Sequence, residues 1–245
     1  MEFRDLVKNK KVALVGPAKY MTGQKSGEQI DNHDVVVRLN RGYELVDNNS
    51  ADVGKKTDIL YSCLIERAGN AGKLNPEHLK AKYDIKYIVA PPNSDFNGIS
   101  HSTTLHNLVD KNKAKAIQKL IPIRVVDHKF HTTLAKKVNC KPNTGFMAIY
   151  DLLLQQPESL SIYGFSFYLD GFMKGCKSGI KNEEGKTENE FAEKCFVSKR
   201  HVQKNMWNFC KDTLLNNSQV LLDPTLEKIL KLEKFSKDLF AKKTK

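Results

Sequence analysis

Residues 27–42 read GEQIDNHDVVVRLNRG, a polar approach that runs into three consecutive valines, Val35 to Val37, and breaks at Arg38-Leu39-Asn40. Consecutive β-branched residues with no polar alternation suit a strand covered on both faces, as in parallel sheets. In open parallel sheets ligands bind in the crevice beyond the carboxyl ends of the strands. Asn40, followed by Arg41 and Gly42, stands at that end and is therefore a candidate site residue.

Further apolar runs of strand length lie on either side: VALVG at 12–16, DILYSCL at 58–64, IKYIVAPP at 85–92, PIRVV at 122–126, LSIYGFSF at 160–167 and QVLLDP at 219–224. Between several of them lie segments with apolar residues recurring at three and four, such as TTLHNLVDKNKAKAIQKL at 103–120 and GFMAIYDLLLQQ at 145–156. This alternation predicts an α/β fold, a mostly parallel sheet flanked by helices. At 245 residues and 40% hydrophobic content the chain suits a single domain, 1–245. The polar stretch 178–194 reads as a mobile surface loop, and 225–245 as a basic amphipathic helix docked on the domain.

Forty Lys plus Arg against 28 Asp plus Glu give a formal charge of +12, a surface that attracts anions: nucleic acid, an acidic membrane or a phosphorylated small molecule. Nucleic acid is disfavoured, because no basic cluster interleaved with aromatics and no zinc motif occurs. The first residues lack a signal-peptide core and no apolar run approaches the ~20 residues of a membrane span. Five scattered cysteines without a CxxC pair argue against a disulfide framework or structural zinc. A soluble protein of a reducing compartment is the expectation.

Three places look chemical. Gly16 ends the first strand where a βα turn would approach a ligand, although Pro17-Ala18-Lys19-Tyr20 follows it and the GxGxxG dinucleotide fingerprint is absent. Pro142-Asn143-Thr144-Gly145 precedes a strongly periodic helix, so Asn143 or Thr144 would cap it and its open N–H groups would suit a phosphate or carboxylate. His201 precedes a helix whose apolar face takes Val202, Met206, Phe209 and Cys210, which leaves the histidine off the core stripe.

These residues carry a resemblance. Gly27-Glu28, Ile30-Asp31, His33-Asp34, Val36, Arg38 and Asn40, continued by Asp52-Val53-Gly54-Lys55-Lys56-Thr57, resemble the L motif of the eukaryotic-type, CMP-sialic-acid-dependent sialyltransferases. Pro142-Asn143-Thr144-Gly145 with Tyr163-Gly164-Phe165 resembles that family's S motif, and His201 stands where its VS motif places a histidine. The match runs from about Val12 to Pro224. It implies a single GT-A-like, Rossmann-type domain that inverts configuration, needs no metal or other cofactor, and moves a sugar acid from a CMP-activated donor to a glycan hydroxyl. Gly16, Asn40, Asn143, Thr144, Gly145 and Gly164 would line the nucleotide and donor, and His201 would be the general base. A transferase using a CMP-activated Kdo-type acid is the neighbouring alternative, and the basic surface offers a contact for an acidic membrane.

The chain also departs from the family pattern. Pro17 stands where an Asn usually follows the strand-ending glycine, so that one nucleotide contact is lost or replaced. The cysteine pair joining the L and S motifs is missing, with Val12 and approximately Pro157 in those places. No histidine occurs from Phe165 to Arg200, where a third motif normally supplies one, and Met206 replaces the acidic companion five residues after the base.

Overall fold

The computed structural model describes residues 2–94, 101–102 and 111–241. A short helix, α1 (Phe3–Val7), leads into β1 (Lys11–Val15), and the sheet continues with β2 (Val35–Leu39), β3 (Ile59–Tyr61) and β4 (Tyr87–Ala90). β5 (Asn93–Ser94) and β6 (His101–Ser102) form a separate antiparallel pair; β7 (Ile123–Val125), β8 (Ser159–Tyr163) and β9 (Val220–Leu222) complete the main sheet. Its seven strands run in the order β7-β4-β3-β2-β1-β8-β9 and every pairing is parallel. Each strand read from the sequence is present.

The valine run behaves as its composition demands. Val35 and Val37 enter one apolar cluster and Val36 another, as do Val12 and Leu14 against Ala13 and Val15 on β1. Both faces are thus covered, by helices that include α2 (Gly27–Asp31), α3 (Val46–Val53), α4 (Pro76–Tyr83), α5 (Lys111–Leu120), α6 (His128–Val138) and α7 (Thr144–Leu154). Of the periodic segment at 103–120, residues 103–110 lie outside the described residues.

Two expectations are corrected. Residues 178–194 are not a loop: they hold α8 (Ile180–Glu184) and most of α9 (Glu188–Phe196). The signal for α9 is local, because the Thr187 hydroxyl accepts the Glu190 N–H at 3.2 Å while the Glu190 carboxylate accepts the Thr187 N–H at 2.7 Å, a complete capping box. Nor is 225–245 one helix. After α10 (Gln203–Leu214) and β9, α11 spans only Pro224–Leu230, and a 3-10 turn at Lys237–Phe240 follows. The aromatic residues beyond α11 have partners in different places: Phe235 packs against Phe196 and Trp207, Phe240 stacks on Tyr20. Continuous helical geometry would be given up to make those contacts. Among the described residues no helix is long and apolar enough to cross a membrane.

Candidate active site at the carboxyl edge of the sheet

From β1 the chain winds outward through β2, and β8 later pairs on the opposite side of β1, so the strand order reverses between β1 and β8. Such a switch point leaves a crevice at the carboxyl ends. A cavity of about 500 Å³ opens there, lined by Pro17 and Ala18 beyond β1, Leu39 and Asn40 at the end of β2, Gly164 and Phe165 beyond β8, the start of α7, and His201. That volume suits a nucleotide-sized ligand.

Six of the seven predicted site residues, Asn40, Asn143, Thr144, Gly145, Gly164 and His201, line this cavity. Gly16 does not. It packs instead against the other arm of the switch point: a Cβ on Gly16 would lie 2.4 Å from the Gly164 carbonyl oxygen, and one on Gly164 would lie 2.3 Å from the Gly16 carbonyl oxygen. Both positions need glycine because the two backbones touch, a requirement set by a contact between strands distant in sequence. The Gly164 N–H donates to Asp223 Oδ2 at 2.9 Å, and the Phe165 N–H to the Tyr20 hydroxyl at 3.0 Å, so this turn presents shape to the cavity while its amides face inward.

The start of α7 is the main source of open donors. Asn143 is the cap, its Oδ1 accepting the Phe146 N–H at 2.8 Å. Among the described residues no acceptor takes the N–H of Thr144 or Gly145. Those donors and the positive end of the helix dipole form an anion site on the cavity wall. Gly145 lets the helix start lie deep: a Cβ there would sit 2.9 Å from Phe165 Cε1 and 3.1 Å from Leu39 Cδ1.

His201 stands in the loop before α10. Its Nδ1 lies 2.8 Å from the Lys141 carbonyl oxygen, which can only accept, so Nδ1 carries the proton and Nε2 keeps its lone pair. Burial, opposed by that hydrogen bond and reinforced by the nearby charges of Lys141 and Arg200, holds its pKa below the usual histidine value. The imidazole is therefore neutral at pH 7.

The motif residues around β2 are mostly a clasp. Arg38, 1% exposed, donates to the carbonyls of Val53 (2.7 Å) and Lys56 (3.1 Å) and to Thr57 Oγ1 (2.9 Å). Burial draws its pKa down to about 10, with Asp31 and Asp58 pulling the other way. Asp31 accepts the N–H groups of Lys55 and Lys56 at 2.8 and 3.0 Å. Residues 52–57 are thereby wrapped onto β2, and the strand end is fixed. Asn40 itself adopts φ +47°, and its Oδ1 accepts the Cys63 N–H at 2.9 Å. Arg41 is buried too, bonded to the Glu44 carboxylate and to the carbonyl and hydroxyl of Ser178.

Several lining residues escape sequence reasoning. Lys141, Lys177 and Arg200 bring positive charge to the cavity, Phe172, Phe191 and Tyr168 bring aromatic surface, and among the described residues no Asp or Glu lines it. Cys63 and Cys176 line it as protonated thiols, since burial raises both pKa values, that of Cys176 to about 11. Met206 belongs to the core under α10 and has no place at the cavity.

A reversal of strand order, a cation-lined cavity and a neutral histidine beside a helix start define a Rossmann-type α/β protein with a site suited to an anionic ligand. A family model for glycosyltransferase family 29, the sialyltransferases, matches residues 5–171, more than half of the chain. The chain belongs to that family and is a sialyltransferase-type glycosyltransferase. Among solved structures, the sialyltransferase CstII from Campylobacter jejuni in complex with the substrate analogue CMP-3FNeuAc aligns with a TM-score of 0.52 and 14% identity, over 89% of this chain and 88% of that one. A CST-II variant in complex with CMP aligns with a TM-score of 0.51 and 16% identity, over 89% and 88%. A mammalian sialyltransferase bound to Gal-beta-1-3GalNAc-ortho-nitrophenol shares 18% identity over 80% of this chain and 67% of that one, at a TM-score of 0.43. No curated protein matches the sequence.

Proposed function

We propose that the protein transfers sialic acid, with inversion and without a metal, from a CMP-activated donor to a glycan hydroxyl, and that His201 is the general base. The observation that carries this reading is the meeting, in one cavity, of an unprotonated Nε2 on His201 with the open Thr144 and Gly145 amides of α7.

The acceptor hydroxyl oxygen attacks the anomeric carbon of the sugar acid and gives its proton to His201 Nε2. The bond from that carbon to the phosphate oxygen breaks, and the electron pair leaves on CMP. Charge growing on the departing phosphate is met by the α7 amides and by Lys141 and Arg200, groups already in place before the reaction. Cations lining the cavity can perform the neutralising role that a divalent ion has in other nucleotide-sugar transferases. Likewise, CMP complexes of structural neighbours make CMP the nucleotide to test first.

The test is transfer from labelled CMP-sialic acid to a galactose-terminated oligosaccharide, with and without EDTA, alongside CMP-Kdo as donor and UMP as competitor. Transfer that survives EDTA and is inhibited by CMP but not UMP is expected. Dependence on added metal, or equal inhibition by UMP, would overturn the metal or base assignment.

A further inference from the structure

Lys177 is a lysine that the fold buries without a counter-ion. Only 5% of it is exposed, and its Nζ donates to the Asn70 carbonyl at 3.3 Å. Two rings lie beside the ammonium as well, Phe172 at 5.3 Å and Phe191 at 5.8 Å. Among the described residues no carboxylate lies within ion-pair distance of the ammonium, and Glu188 is bonded to the Lys177 backbone N–H, at 2.7 Å. Asn70, Phe172, Phe191 and Lys177 all line the cavity. An ammonium removed from water with one long hydrogen bond and two aromatic contacts is under-compensated, and a ligand anion is what would complete it.

We infer that Lys177 is a specificity residue that pairs with the carboxylate of the sugar acid on the donor, and this rests on the transferase reading above. The other anionic group of such a donor, its phosphate, has a site of its own at the start of α7. Lys177 Nζ is held at the Asn70 carbonyl and lies by the Phe172 and Phe191 rings, whereas the open amides belong to the start of α7, so the cavity takes positive charge from two different segments of the chain. Aromatic rings such as those beside Lys177 are the surface on which the C–H face of a sugar stacks. Neutral sugars have nothing to offer that ammonium, so the residue discriminates for an acid.

The experiment is calorimetric titration of wild type, Lys177→Met and Lys177→Arg with two probes, CMP and the fluorinated analogue CMP-3FNeuAc, which differ by the sugar acid. Wild type should bind the analogue more tightly than CMP. Lys177→Met should lose about 10-fold or more in analogue affinity, the scale of one charged hydrogen bond, while CMP affinity stays within about twofold. Lys177→Arg should recover part of the loss. Thermal unfolding separates a ligand role from a structural one: Lys177→Met, freed of a buried charge, should melt no lower than wild type without ligand. Equal losses for CMP and analogue would move Lys177 to the phosphate, and unchanged analogue affinity would remove it from recognition; either overturns the inference while leaving the transferase reading intact. A wild type that binds neither probe overturns both.

Discussion

Lys141 holds His201 through the backbone: its carbonyl accepts from His201 Nδ1 at 2.8 Å, and its N–H donates to the carbonyl of Arg200, the preceding residue, at 3.0 Å. The loop before α10 is thus paired to the segment that leads into α7. The proposed base and the proposed anion site, contributed by residues nearly sixty positions apart, are joined by two hydrogen bonds.

His201→Ala should remove most transfer activity, by about 10²–10⁴-fold, with CMP affinity nearly unchanged, because its task arises only as the hydroxyl attacks. The pH profile of kcat/KM gives the second readout. Since the base form is needed and burial lowers the pKa, activity should be flat above pH 6.5 and fall only as pH drops through the lowered value. A loss of CMP affinity in parallel with rate would assign His201 to phosphate binding instead.

Asn40 has a structural job and a proposed one at the nucleotide, and substitutions can separate them. Asn40→Ala loses the hydrogen bond from the Cys63 N–H and places a Cβ-bearing residue that disfavours positive φ at +47°, so stability should fall by about 1–3 kcal/mol. Asn40→Gly keeps the backbone conformation at ease and should lose less. Both should weaken CMP binding by about tenfold if the amide reaches the nucleotide. A Gly variant with wild-type affinity would leave Asn40 as a strand terminator.

Gly145→Ala is expected to cut CMP affinity by about tenfold or more, since the added methyl meets Phe165 and Leu39 and pushes the helix start off the cavity wall. Phe165→Leu, which removes the ring atoms nearest that methyl, should restore part of the affinity in the double variant. Absence of any rescue would show that the methyl blocks the ligand directly.

Arg38 tests the clasp. Arg38→Met removes the donors to Val53, Lys56 and Thr57 and leaves their acceptors buried, so denaturant unfolding should show a loss of about 3–5 kcal/mol. If the variant is as stable as wild type, the motif arginine has to be sought in ligand binding rather than in folding.

What could be read from the sequence follows the range of the forces involved. The seven strands are short apolar runs, and each announces itself within five or six residues. Asn143 and His201 are legible for the same reason, one as a cap before a periodic helix, the other as a polar residue just off an apolar stripe. Lys177 gives no such signal, because its burial depends on Asn70, Phe172 and Phe191, which only the fold brings together. Gly16 misleads locally: a strand-ending glycine suggests a ligand turn, whereas the contact that requires it comes from Gly164. In α9 the polar composition hides a helix whose start is nonetheless written in Thr187 and Glu190.

The placement of β1 between β2 and β8 bears on how the chain is made. Val12 pairs with Val35 on one side, 23 positions further along (12 to 35), and with Leu160 on the other, 148 positions further along (12 to 160). On the ribosome, at about 5–20 residues per second, the first strand would wait roughly 7–30 s for its second neighbour with a row of backbone groups unpaired. During that interval the growing chain carries an open, apolar edge in the middle of what becomes its sheet, the kind of surface on which nascent proteins recruit chaperones or aggregate.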